Sequence, residues 1–139
     1  MSSSTTTSSL SDSLPSTVPK LNAEGDNWAI FYVRFMDAVE AKGFWGHFDG
    51  LSPAPVPVSG TAPTDAEKTA KIQWDKDERS AKMLLTQRLP DSTVMEIHSK
   101  TTVKDRWEAV VREYTVKGAY AQTEMRGRGV RRRAMRKIF

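Results

Sequence analysis

The sequence predicts an all-α fold, a small bundle of four to five helices with a disordered N-terminal arm and a basic C-terminal tail. Three observations carry that expectation. Apolar residues recur at steps of three and four over most of the chain, no stretch alternates apolar with polar as a strand would, and prolines and glycines fall where helical patterns stop.

Residues 1–19 are rich in Ser and Thr and hold no aromatic side chain, too little apolar surface to offset the entropy of ordering. This arm is expected to be disordered. The first helix begins after Asp26 or Asn27, either of which is a candidate cap, and its stripe is Trp28, Phe31, Phe35 and Val39. Gly43 is placed to stop it.

From residue 50 to 63, Pro53, Pro55, Pro57 and Pro63 remove amide donors and push their predecessors toward extended backbone, which marks an exposed connector. Thr64 and Glu67 then have the spacing of a capping box. The long helix behind them shows Trp74, Ala81, Leu84, Leu85 and Leu89 on one face and Lys71, Asp75, Glu78, Arg79 and Lys82 on the other, until Pro90 ends it. Asp91 or Ser92 begins a short third helix through Val94, Met95, Ile97 and His98. Thr102 caps a fourth, with the stripe Val103, Trp107, Val110, Val111 and Tyr114, which Gly118 is expected to interrupt. A fifth starts near Ala119, although Gly127 and Gly129 each cost about 1 kcal/mol inside a helix. Trp28, Phe31, Phe35, Trp74, Leu85, Trp107, Val111 and Tyr114 are the predicted structural core.

The formal charge is +4, and its distribution is uneven. Residues 126–139 hold seven of the 21 basic side chains and no acid, which leaves residues 1–125 with 14 basic against all 17 acidic, a net of −3. The predicted helical domain, residues 20–125, is therefore attached to a tail that alone makes the protein basic.

Little here predicts catalysis. Cysteine is absent, which excludes disulfides, thiolate metal sites and a cysteine nucleophile. His47 lies between aromatics and is expected to pack as an ordinary imidazole. His98 is expected near a helix C-terminus, where a protonated ring suits the macrodipole. Asp75, Asp77 and Glu78 are interleaved with Lys71, Lys76, Arg79 and Lys82 at helical spacing, the pattern of surface ion pairs. Gly43, Gly46 and Gly50 lack the Lys-Ser/Thr that a phosphate-binding loop needs. No catalytic residue, metal ligand, cofactor or small-molecule substrate is predicted. No apolar run approaches the roughly 20 residues needed to span a bilayer, and the N-terminus has no secretory pattern, so a cytoplasmic protein without a membrane partner is expected.

Arg126, Arg128, Arg131, Arg132, Arg133, Arg136 and Lys137 form the one functional charge pattern. Such a segment binds phosphate backbones without sequence preference, and its composition also suits nuclear import. A solvated read-through remnant with no selected role has the same composition.

Taken in order, four segments resemble the front of copia-type retrotransposon Gag polyproteins. These are VPKLNAEGDNWAIF at residues 18–31, AKGFWGHFDG at 41–50, WDKDE at 74–78 with the Leu/Met-rich stretch to Arg88-Leu89-Pro90, and TVKDRWEAVVREY at 102–114. The resemblance covers about residues 18–126. It implies a capsid-like helical domain that associates with itself or related Gag chains around element RNA in a virus-like particle. It carries over no active site, because none of the matching positions is catalytic. The family continues after the position of Met125 with further capsid helices, whereas here Arg-Gly-Arg-Gly follows, so the resemblance implies a truncated fragment or decayed copy.

Overall fold

The computed structural model describes residues 13–58 and 62–138, with side chains through residue 121. Five helices follow one another: α1 (Trp28–Ala41), α2 (Trp45–Asp49), α3 (Asp65–Thr86), α4 (Asp91–Ile97) and α5 (Val103–Ile138). No strand occurs among the described residues, and the fold is all-α.

In α1, Phe31, Phe35 and Val39 turn inward at the spacing the sequence predicts. Asn27 holds the N-cap position, one of the two expected, but its side chain makes no capping bond, because it and Asp26 are spent on the incoming loop: Asn27 Nδ2 donates to the Lys20 carbonyl at 2.8 Å, Asn27 Oδ1 accepts from the Asn22 amide, and Asp26 accepts from Asn22 Nδ2. The end matches. Gly43 takes a φ of 83° and its N–H donates to the Glu40 carbonyl, while the Phe44 N–H donates to that of Val39, the paired bonds of a Schellman motif. One further turn, α2, then buries His47 and Phe48 before Gly50 ends it in the left-handed region.

Thr64 caps α3 as expected, its hydroxyl oxygen accepting from the Glu67 amide at 3.2 Å, but the Glu67 carboxylate returns to the Thr64 hydroxyl and not to its backbone. Ala81, Leu84 and Leu85 are fully buried on the α3 face that the periodicity marks. The cap of α4 is the extended Pro90, with no side-chain bond from Asp91 or Ser92, and the helix buries Thr93 and Ile97. Met95, assigned to the apolar set from sequence, is 78% exposed.

Thr102 caps α5 through the Asp105 amide at 3.1 Å, and Val103, Trp107, Val110 and Tyr114 are buried. The expected break at Gly118 does not occur, so the predicted fourth and fifth helices are one 36-residue helix. Gly118 has no positive φ. It lies against the segment before α1, where a Cβ would make ordinary van der Waals contact, 3.4 Å from Trp28 Cδ1 and 3.5 Å from the Gly25 carbonyl oxygen.

The boundary drawn at residue 19 also differs. Leu14, Val18 and Leu21 are buried in the core. Their backbone is tied to the end of α3 and the turn beyond it: the Leu14 amide donates to Gln87 Oε1, the Leu21 amide to the Arg88 carbonyl, and Arg88 Nε to the Val18 carbonyl. Composition hid this, because the few apolar side chains that dock are diluted by Ser and Thr. Residues 1–12 of the expected arm lie outside the described residues.

Candidate functional site

Three features on this scaffold are candidates for function. The first joins α2, α3 and α5. His47 Nδ1 lies 3.3 Å from Glu78 Oε1, the imidazole sits 4.9 Å from the Trp74 ring, and Glu78 Oε2 accepts from the Val103 amide at 3.4 Å. Glu78 is 6% exposed, which corrects its assignment to the charged surface face of α3. A carboxylate in this position faces the unpaired amides and positive end of α5. The spacing carried a signal for it, since Glu78 lies four residues after Trp74 and three before Ala81, inside the apolar stripe, but its charge reads as surface and its partners come from residues 47 and 103. Asp75 keeps the expected surface pair with Lys71 at 2.9 Å. One imidazole and one carboxylate, each under a tenth exposed, pin three helices together, and neither lines a groove described below. Among the described residues, no group of three or more His, Cys, Asp or Glu side chains is placed to hold a metal ion. His98 follows α4 as its exposed cap, and its carbonyl accepts from Arg106 Nη2.

The second feature is aromatic. Trp107 is the hub, with ring centroids 5.1 Å from Phe35, 5.7 Å from both Tyr32 and Trp45, and 5.9 Å from Trp28 and Phe48. Trp28 also stacks on Tyr114 at 5.7 Å. Among the residues predicted as core, Phe31, Phe35, Leu85, Trp107 and Tyr114 are buried, while Trp28 and Val111 are half-buried against them. Trp74 lies apart from this cluster: its ring N–H donates to the Ser52 carbonyl at 2.8 Å and fastens the connector to α3. The outer edge of the cluster opens into a groove of about 590 Å³ among α1, α2 and α5, lined by Tyr32, Met36, Trp45, Val111 and Arg112.

The third feature is a groove of about 620 Å³ between the Pro-rich connector and the start of α3, walled by Pro55, Pro57, Pro63, Ala66 and Ala70. The buried residues of α3 are Glu78, Ala81, Leu84 and Leu85, so its first three turns reach beyond the core. The Glu67 Oε2 atom on this wall is shut from solvent and has no hydrogen-bond partner.

Around these features several large apolar side chains face outward, among them Ile30, Val33, Ile72, Val116 and Tyr120. Lys117 bonds Glu113 at 2.8 Å and the Ala23 carbonyl at 3.2 Å, and the Glu113 hydrogen bond raises its pKa above the ordinary lysine value. Arg126, Arg128, Arg131, Arg132, Arg133, Arg136 and Lys137 lie outside the described side chains. Among the described residues, no helix is long and apolar enough to cross a membrane. Comparison with protein-family models, with curated proteins and with solved structures finds no match to this chain.

Proposed function

We propose that this chain is a non-enzymatic structural module that associates with itself or with related chains, a fragment of the capsid-like region of a copia-type retrotransposon Gag polyprotein. The observation that carries the reading is a complete core surrounded by unpartnered apolar surface. Among the described residues sixteen hydrophobic side chains are buried, yet two apolar-walled grooves and outward Ile30, Val33 and Ile72 remain. Surface of this kind marks interaction sites. The order of the motifs at residues 18–31, 41–50, 74–78 and 102–114 supplies the family. Its partners are then other Gag chains, and it works in the cytoplasm.

Sedimentation equilibrium of the purified chain over a wide concentration range tests this. Mass rising with concentration is expected. A strict monomer at high concentration that also fails to bind a full-length Gag relative sinks the proposal.

A second reading rests on the seven basic residues of 126–139, which lie on a segment whose backbone continues α5. Here the bundle carries a non-specific RNA- or DNA-binding helix, which would also serve nuclear import. Binding should weaken steeply with salt and disappear when residues 126–139 are deleted; equal affinity without them eliminates this reading.

A further inference from the structure

We propose that the aromatic groove among α1, α2 and α5 receives the proline-rich connector of a second copy of this chain, so that copies join head to tail. The inference rests on the self-association reading and names both of its surfaces. On the connector side, residues 50–64 carry no charge, and Pro53, Pro55 and Pro57 alternate with Ala54, Val56 and Val58. Each proline fixes its own φ and holds its predecessor extended, a backbone that favours the polyproline helix. Trp74 fastens the segment at Ser52, yet Leu51 and Val56 are each 84% exposed. Little entropy remains to be lost when a partner covers them.

The groove has the matching chemistry. Tyr32, Trp45 and Trp107 line it with aromatic rings, and Met36 and Val111 add apolar sides. Aromatic-lined grooves of this kind are where extended proline-rich segments dock. The two carboxylates on its lining are engaged within the fold, Asp49 by the Leu51 amide at 2.9 Å and Glu108 by Lys104 at 2.8 Å. Among the described residues, the Arg112 guanidinium and the ring N–H groups of Trp45 and Trp107 have no acceptor. The lining therefore offers donors, and a proline-rich backbone presents carbonyl oxygens with few N–H groups.

The connector must come from a different molecule. Trp45 and Asp49 line the groove, whereas Gly46 and His47 of the same short helix meet Ser52 and Trp74, so α2 stands between the connector and the groove of its own chain. Beyond Ser52 the connector lies beside Ala66 and Ala70 of α3. A heterologous contact of this kind leaves a free groove at one end and a free connector at the other, so assembly is open-ended.

The test follows the mass of the full chain by sedimentation equilibrium after nuclease treatment, with far-UV circular dichroism checking the fold. The joint change Val56→Ser, Pro57→Ser, at exposed positions of the connector, should weaken association about tenfold or more. Val111→Gln with Arg112→Ala in the groove should act likewise, while Ile30→Ser on the outer face of α1 should not. Mixing the two weakened variants should restore a one-to-one complex, because the intact connector of one meets the intact groove of the other. A mixture that forms no complex overturns the head-to-tail contact. In the connector variant, the synthetic peptide of residues 50–58 should shift the indole N–H NMR signals of Trp45 and Trp107, and a peptide that moves neither overturns the site. Association untouched by either joint change overturns the contact and leaves self-association standing. A monomer at every concentration overturns both. Association that nuclease treatment abolishes makes nucleic acid the bridge and overturns the contact.

Discussion

The Thr93 hydroxyl and the Tyr114 phenol lie 2.6 Å apart with both residues fully buried, a polar bond between α4 and α5 inside an apolar core. α4 is only seven residues long, too short to persist without such docking. Either single change, Tyr114→Phe or Thr93→Val, removes one partner and strands the other, and should cost about 1–2 kcal/mol in urea denaturation. The double variant should be more stable than the sum of the two losses. Simple additivity would show that the two hydroxyls act independently.

Glu78→Leu should cost more, about 2–4 kcal/mol, because the His47 ring nitrogen and the Val103 amide both lose their acceptor inside the fold. Glu78→Gln retains an acceptor and should lose roughly half as much. A Leu variant as stable as the parent would mean that the carboxylate contributes no net stability.

Gly25 and Gly43 share a positive φ and differ in their surroundings. A Cβ on Gly25 would lie 2.8 Å from Lys117 Cβ and 3.2 Å from the Gly118 amide nitrogen, whereas Gly43 has open space. Gly43→Ala should therefore cost only backbone strain, about 1 kcal/mol. Gly25→Ala adds a clash between the N-terminal segment and α5, and should cost about 2–3 kcal/mol. Equal melting temperatures for the two variants would contradict this packing.

Leu21→Ala should destabilise the fold by about 2–4 kcal/mol, as expected for a fully buried leucine. The same change at Leu14, which is slightly exposed, should cost less. If both were neutral, the segment before α1 would not be part of the core.

Trp74→Phe removes the indole N–H that holds the Ser52 carbonyl. Limited proteolysis in the connector at residues 50–63 should accelerate several-fold, as local opening costs less free energy. Unfolding of the whole chain should move little, since Trp74 is only half-buried.

Much of the architecture was legible in the residues. The stripe of α1, the inner face of α3 from Ala81 on, and the run from Val103 to Tyr114 are periodic, and a helix buries whatever recurs at its own period. Gly43, Thr64 and Thr102 were legible for a related reason, because each acts on backbone within a few residues of itself. The site was much less so. Glu78 reads as one more surface acid until His47 and Val103 are brought to it.

The sequence by itself determined the helical class, most helix boundaries, the connector and the separation of charge between body and tail, all of which follow from local backbone preference and periodic burial. Tertiary structure alone decided that Gly118 stays helical against Gly25 and Trp28, that Leu14 and Val18 join the core, that Trp74 anchors a loop, and that Glu78 is buried against His47 and Val103. These depend on which atoms meet across tens of residues, and burial and hydrogen bonding are set by such neighbours and not by position along the chain.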